Sequence, residues 1–403
     1  MTGAYRAVDV LVVGLGPAGS ATAIRLAEAS VEVLAIDRAQ FPREKICSEY
    51  LSPEAARQLD LLGVLDELLP QAMPLHGAKV IGPRGSDMTG LFREATPAPP
   101  RAAGLSLPRR VLDHALVRRA ANVGAEIAEG TSLIAIEPGP LGHRVTLRRG
   151  EAQETVEARL VIGADGLRSR LVATLGGRAR RWLRRWGFVA HVAEVRGMGS
   201  VAEMHVGAAG YVGLNVVAPG ITNVAVVVPE RRAALAGGDP ERFWFEALEG
   251  FPGVRGRVDR SRIVREVMVT GPFAARSRRV IGDGLALVGD AADFFDPFTG
   301  EGVCAALRGA ALLAPVAIAA LAGKGPVRRA TLEPYRRGRR EAFAGKWAVE
   351  RMIGYAMASP ALFDRAVGRL GRRGLSHTLI GVTGDFLPAS RVLRPGFLAA
   401  MVV

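Results

Sequence analysis

Three glycine turns set carboxylates where a nucleotide diphosphate could be held. The first, Gly14-Leu15-Gly16-Pro17-Ala18-Gly19, has G-x-G-x-x-G spacing, and Asp37 stands 18 residues beyond Gly19. Glycine at these places permits a sharp turn (Gly14), a phosphate close to the backbone (Gly16) and tight helix packing (Gly19). The helix start offers free N–H groups and the positive end of its dipole to the phosphates, and the acid offers an acceptor to a ribose hydroxyl. The second turn is Gly163-Ala164-Asp165-Gly166. The third is Gly289-Asp290-Ala291-Ala292, running on to Gly300-Glu301-Gly302. Asp165 or Asp290 alone would read as an ordinary turn former. One large cofactor lying across several strand ends accounts for all three turns.

The elements that must position these turns are legible around them. Val8–Val13 reads as a strand, Ser20–Ala29 as a helix and Val31–Ile36 as a second strand ending in Asp37, which makes a βαβ unit. Ser52-Pro53-Glu54 opens a helix with Ser as N-cap and Pro at the first position, stopped at Gly63. A short helix over Val64–Leu69 follows, then short strands through 75–107 and a helix over Pro108–Asn122. Ala125–Glu137, His143–Arg149 and Glu154–Ile162 alternate as strands, the last two joined at Arg149-Gly150. From 185 to 280 the α/β rhythm gives way to strands Trp186–Val195, Val201–Val206, Tyr211–Ala218, Thr222–Val228 and Ser261–Val269, with a helix at Pro240–Leu248. Leu285–Val288 returns to a buried strand. Val303–Ala322 is long and apolar, but Arg308 and Pro315 interrupt it, which suits a buried core helix better than a membrane span. The tail from Thr331 is helical, with a helical hairpin near Ser359-Pro360.

Composition bounds the class. The 403 residues, 49% hydrophobic and 23% charged, suit a globular chain of two or three subdomains. Two cysteines, Cys47 and Cys304, are too few for a disulfide framework. With the first strand near the start of the chain and no leader pattern, the reading is cytoplasmic. The net charge is +14, yet only four of 53 basic residues are lysine and aromatic content is 6%, which leaves little to stack on bases. The arginines are spread, densest at Arg178–Arg185 and Arg336–Arg340. A solvated basic surface is the first reading of that charge. Weak contact with an acidic membrane surface, or attraction of an anionic substrate, is the second.

The stretches GLGPAGSATA, GADGLRSR (163–170) and GDAADFFDPFTGEG (289–302), in this order, resemble the glutathione-reductase-type FAD flavoproteins. Within them the resemblance is to the p-hydroxybenzoate hydroxylase and geranylgeranyl reductase group, and it covers most of residues 8–320. It implies an α/β fold: a Rossmann-like FAD-binding domain (1–75, 108–180, 281–325), an inserted antiparallel β-sheet substrate domain (76–107, 181–280) and a C-terminal helical region (326–403). It implies that Gly14, Gly16, Pro17, Ala18, Gly19, Asp37 and Arg38 hold the ADP half of FAD. Arg43 and Arg109 would approach the pyrophosphate and ribityl region, Arg109 in an R-x-x-L-D pattern ending at Asp113. Asp165, Gly289 and Asp290 would support the cofactor, Asp290 by accepting from a ribityl hydroxyl. Pro297, Gly300, Glu301, Gly302 and Val303 would bring a helix N-terminus to the flavin, where it stabilises negative charge. The group's second turn carries an arginine seven residues after its aspartate; here that place is Val172, with Arg170 the nearest substitute.

The reaction type is read from smaller stretches. Lys45-Ile-Cys47-Ser-Glu-Tyr-Leu-Ser-Pro53 resembles the K-x-C-G-x-x-L-S-P stretch of geranylgeranyl reductases and flavin halogenases, with Ser48 in place of glycine. Cys47 would then be a proton donor in a double-bond reduction, or simply a small packing residue. The reductases' Y-x-W-x-F-P stretch survives only as Tyr211-Val-Gly213-Leu-Asn-Val. The halogenases' W-x-W-x-I-P is matched only by Trp182 and Trp186, four apart with no Ile-Pro after them. The expectation is therefore an FAD monooxygenase: NAD(P)H, bound transiently, reduces FAD, O2 adds at flavin C4a, and a lipophilic or aromatic substrate is oxygenated in a dry pocket. Double-bond reduction is the alternative, with halogenation or a non-catalytic flavin-bound scaffold behind it. His191 and His205 are candidate bases, each more readily a core or surface histidine.

Overall fold

The structure, a computed structural model, describes residues 5–179 and 183–402. Trp182 and two arginines of the Arg178–Arg185 cluster lie outside the described residues. The chain begins with β1 (Arg6–Val13), α1 (Pro17–Ala27), β2 (Val33–Asp37) and α2 (Pro53–Asp60). β3 (Gly77–Ile81) and β4 (Asp87–Leu91) leave for a second sheet before α3 (Arg109–Asn122) returns. β5 (Glu126–Glu129), β6 (Thr131–Pro138), β7 (His143–Arg149) and β8 (Ala152–Gly163) follow. β9 (Arg185–Ala193), β10 (Val201–Gly207), β11 (Gly210–Ala218), β12 (Ile221–Pro229), α4 (Pro240–Glu249) and β13 (Ile263–Thr270) build the second sheet and its cover. β14 (Leu285–Leu287) rejoins the first sheet. After it come the helices α5 (Gly302–Leu321), α6 (Arg329–Ala356), α7 (Pro360–Arg372), α8 (Ser376–Thr383) and α9 (Pro395–Val402), with a single helical turn at Ser390–Leu393 between the last two.

The first sheet has a parallel centre, β14-β8-β1-β2-β5. Its inner strands β14, β2 and the C-terminal halves of β1 and β8 are buried on both faces, so they read as continuous apolar runs rather than alternating ones. Alternation along β1 still decides what each residue meets. Val10 and Val12 pack on α1, α3 and α5 on one side, while Leu11 and Val13 pack on Leu133, Val145 and Leu147 of β6 and β7 on the other. The single strand expected over 125–137 is two. Gly130, at φ +68, ends β5, which runs parallel to β2, and β6 then pairs antiparallel with β7. A left-handed glycine lets the chain change neighbours within one residue.

The second sheet runs β13-β9-β12-β11-β10-β3-β4. It is mixed rather than wholly antiparallel, because β3 lies parallel to β10, with Val201 opposite Gly77. β3 arrives from the other domain instead of by a hairpin, so nothing ties it to the antiparallel direction. Even-numbered residues of β9 and β12, such as Phe188 and Val226, pack on Trp244 of α4. The odd-numbered Gly187, Val189, Gly213, Ala225 and Val227 face a cleft between the two domains. α6 to α9 close the far side, packing on Val80, Met88 and Tyr211. α5 is long and apolar enough to span a bilayer, with half of its residues buried; here it packs on α1, α2 and α6.

Candidate functional site

The three glycine turns meet at one end of the cleft. Gly14, at φ +99, would place a Cβ 2.7 Å from the backbone of Ala164, so the first and second turns abut. A Cβ on Gly289 would lie 2.7 Å from that of Ala18, which docks the third turn on α1. Gly19 is closed by packing, a Cβ there falling 1.7 Å from the Gly14 carbonyl oxygen. Gly16 is open. Its Cβ would meet only Nη2 of Arg109 and Nη2 of Arg43, each at 3.8 Å. Gly19 and Gly289 therefore shape the turns without lining the cleft, whereas Gly14, Gly16, Pro17 and Ala18 line it.

The two guanidiniums over Gly16 share one buried carboxylate. Arg109 donates through Nε and Nη2 to Asp113, both at 2.7 Å. Arg43 Nη1 stands 3.1 Å from Asp113 Oδ2 as an ion pair without hydrogen-bond geometry. Two cations on one anion leave positive charge facing the turn. Lys45 adds to it: burial, then the nearby Arg109 and Arg43, hold its ammonium below the ordinary value. Asp37 Oδ2 accepts from Leu15 N–H at 2.8 Å and Oδ1 from Ala39 N–H at 2.9 Å, so this acid also fixes the turn it lines beside Arg38.

Asp165 Oδ2 accepts from Arg170 N–H at 3.0 Å, and its Oδ1 is buried without a partner. Burial pushes the Asp290 carboxyl up to about 6 against the pull of Lys45 and Arg109. The place of the group's usual arginine, Val172, is core. Arg170 lines the cleft, and Arg178, which the sequence reading passed over, donates to the carbonyls of both Gly166 and Asp290. Its signal was only its place in a basic run.

Asp296 builds the turn that precedes α5. Oδ1 accepts from Phe298 N–H at 3.0 Å and from the Tyr211 hydroxyl at 2.7 Å, and Oδ2 pairs with Arg185. Pro297, Gly300, Gly302 and Val303 line the cleft. Glu301 does not, which corrects its expected place at the cofactor. Its side chain turns away, accepting from Ser52 Oγ at 3.1 Å inside the protein.

Cys47 also lines the cleft, its thiol against the Arg109 guanidinium. Its loop is pinned by Glu49, a fully buried carboxylate at φ +58. Glu49 meets His191 at 2.6 Å and Asn223 at 2.9 Å, and Asn223 also donates to the Cys47 carbonyl. Neither candidate base stands. His191 is spent on Glu49 and His205 on Glu203 at 2.7 Å, and neither lines the cleft. Both lay on strands whose alternation was legible; the carboxylate that holds His205 is its strand neighbour Glu203, whereas the one that holds His191 comes from a distant loop.

The cleft, about 770 Å³, is polar and cationic at the glycine turns and apolar beyond Cys47, where Val189, Met204, Phe273, Phe298, Leu379 and Ile380 line it. The converging guanidiniums and the partnerless Asp165 oxygen fit a dinucleotide with a diphosphate at Gly16. Residues 7–350 match the family model described as an FAD binding domain. Menaquinone reductase of Mycobacterium tuberculosis is 32% identical over 73% of this chain and 72% of its own. Digeranylgeranylglycerophospholipid reductase 1 of Methanothermobacter thermautotrophicus is 28% identical over 83% and 82%. Among solved structures, a flavoprotein/dehydrogenase from Cytophaga hutchinsonii superposes with TM-score 0.83 at 20% identity, over 98% of this chain and 97% of that one. The flavin-dependent halogenase CmlS superposes at 0.78 and 22% identity, over 89% of this chain and only 66% of the other. At such identities the two structures share the fold alone. With a family model covering most of its length and the diphosphate cradle in place, the chain belongs to the FAD-binding-domain family and is an FAD-dependent oxidoreductase.

Proposed function

We propose that the protein reduces a carbon–carbon double bond in a lipophilic, prenyl-type substrate. The observation that carries this reading is the Cys47 thiol, set where the cationic end of the cleft meets the apolar end. Two other proton carriers on the apolar side, Glu203 and Tyr211, are engaged. Burial opposes ionisation of Glu203, but His205 and Arg257 outweigh it and draw the carboxyl down to about 2. The Tyr211 hydroxyl is committed to Asp296. Cys47 gives a proton to one carbon of the double bond. FAD, when bound, supplies the two electrons as a hydride equivalent to the other carbon. Arg109 beside the sulfur stabilises the thiolate that remains until solvent returns a proton. Pro297, Gly300 and the start of α5 face the same space, and the apolar walls exclude water. The relatives named above are reductases, which supports the direction of the chemistry. NAD(P)H, bound transiently, is the reductant this reading needs. The +14 charge supports a cytoplasmic protein that touches an acidic membrane to collect its substrate.

Oxygenation is the second reading, and Gly213 favours it. A Cβ there would meet only Met204, at 3.5 Å, so the wall leaves room for a ring where the reductase stretch has tryptophan. One experiment separates the two. Under labelled O2 and NADPH, a prenyl-quinone or prenyl-lipid panel is expected to gain two hydrogens and no oxygen. Cys47→Ser is expected to keep its flavin and lose at least about a hundredfold in turnover, the usual worth of a positioned acid. A product carrying labelled oxygen, with Cys47→Ser still active, overturns the reductase reading.

A further inference from the structure

Behind the turn that faces the cofactor lies a buried ionisable cluster that the chemistry above does not use. Glu301 is the N-cap of α5, immediately before Gly302 and Val303, which line the cleft. It is 3% exposed and makes no side-chain cap. Oε2 meets Ser52 Oγ; Oε1 is buried without a partner. The groups around it are Cys304 and Arg308 of α5, Lys346 and Glu350 of α6, Asp385 after α8, and Tyr50 and Ser52 before α2. The two cations are taken. Lys346 Nζ lies 2.6 Å and Arg308 3.2 Å from the same Asp385 oxygen. Glu301 is thus a desolvated carboxyl with no cation of its own beside an ionised Asp385.

We propose that Glu301 is a positioning residue for charge: it holds a proton, and this keeps the start of α5 free to stabilise negative charge on reduced FAD. A helix N-terminus carries about half a positive charge. An ionised carboxylate at the N-cap, aimed inward, would cancel part of it. The effect is reciprocal: negative charge on the cofactor strengthens the grip of Glu301 on its proton. Burial pushes Glu301 up to about 8 despite Lys346, and Asp385 adds to the rise. At neutral pH the residue is then neutral in either redox state. At higher pH the oxidised protein loses the Glu301 proton, and reduction takes it back.

The proposal rests on the FAD site and not on the choice between reduction and oxygenation, so the test needs no substrate. The midpoint potential of bound FAD is measured against pH, from about 6 to 10, in wild type and Glu301→Gln. Wild type is expected to show a steeper fall above about pH 8, with one more proton taken up per two electrons than in Glu301→Gln. Parallel lines throughout overturn the proposal. Burial also pushes Glu350 up, to about 7, so Glu350→Gln is the control and is expected to keep the break. A break lost there and kept in Glu301→Gln overturns the assignment. If Glu301→Gln fails to fold or to hold flavin, Ser52→Ala removes the hydrogen bond to Glu301 Oε2. The break is then expected to move to higher pH, and an unmoved break counts against Glu301.

Discussion

At the scale of single residues, the site is a matter of which charges have been given partners. Asp113 serves two arginines, so the surplus positive charge points at Gly16. Asp290 has the opposite history: burial raises it to about 6, and Lys45 and Arg109 keep it from rising further. If it accepts from a ribityl hydroxyl, protonation competes with that bond. FAD affinity is then expected to weaken as pH falls through about 6 and to be steady above it. The sign follows because the ionised form binds and the neutral form is the one gained on acidification. Titration of apoprotein with FAD across this window checks it, and Asp290→Asn is expected to remove the dependence.

At the scale of elements, the turn after β1 separates two uses of glycine. Gly19→Ala would put a methyl 1.7 Å from the Gly14 carbonyl, so α1 cannot seat on the turn. A marked loss of thermal stability is expected, on the order of 3 kcal/mol as for severe overpacking. Gly16→Ala has room in the free protein, 3.8 Å from both guanidiniums, and is expected to leave the melting temperature of apoprotein within a degree or two while lowering FAD affinity at least about tenfold. Melting curves and flavin titrations of the two variants distinguish the roles. The same turn shows what a sequence can carry. Strand, glycine spacing and Asp37 are local, so the βαβ unit, the helix cap at Ser52 and the strands of the second sheet were legible from spacing and alternation. The parallel entry of β3 and the break at Gly130 were not, because each depends on a neighbour distant in the chain. The Glu49 knot and the inward turn of Glu301 escaped for the same reason. Their partners, His191 and Asn223 for one and Ser52 for the other, are brought by tertiary packing.

At the scale of the whole molecule, the cleft is assembled from both sheets and the C-terminal helices. Leu379 and Ile380 of α8 face it from the side opposite the glycine turns. Leu379→Trp is expected to raise KM for a lipophilic substrate at least about tenfold because the indole fills space the substrate needs, with flavin content unchanged; steady-state kinetics beside the flavin absorbance ratio checks this. The basic surface makes a second expectation. Co-sedimentation with vesicles containing anionic lipid should exceed that with neutral vesicles and fall away by roughly 0.5 M salt, where the screening length is only a few ångströms. The wall supplied by Ile353, Leu379, Ile380 and Thr383 lies wholly beyond residue 350, where the family match ends. The stretch by which such chains are sorted together is therefore not the whole of the stretch that lines the cleft. Two chains can share every glycine turn and still differ in this wall, so a grouping made on residues 7–350 alone leaves one side of the cleft uncompared.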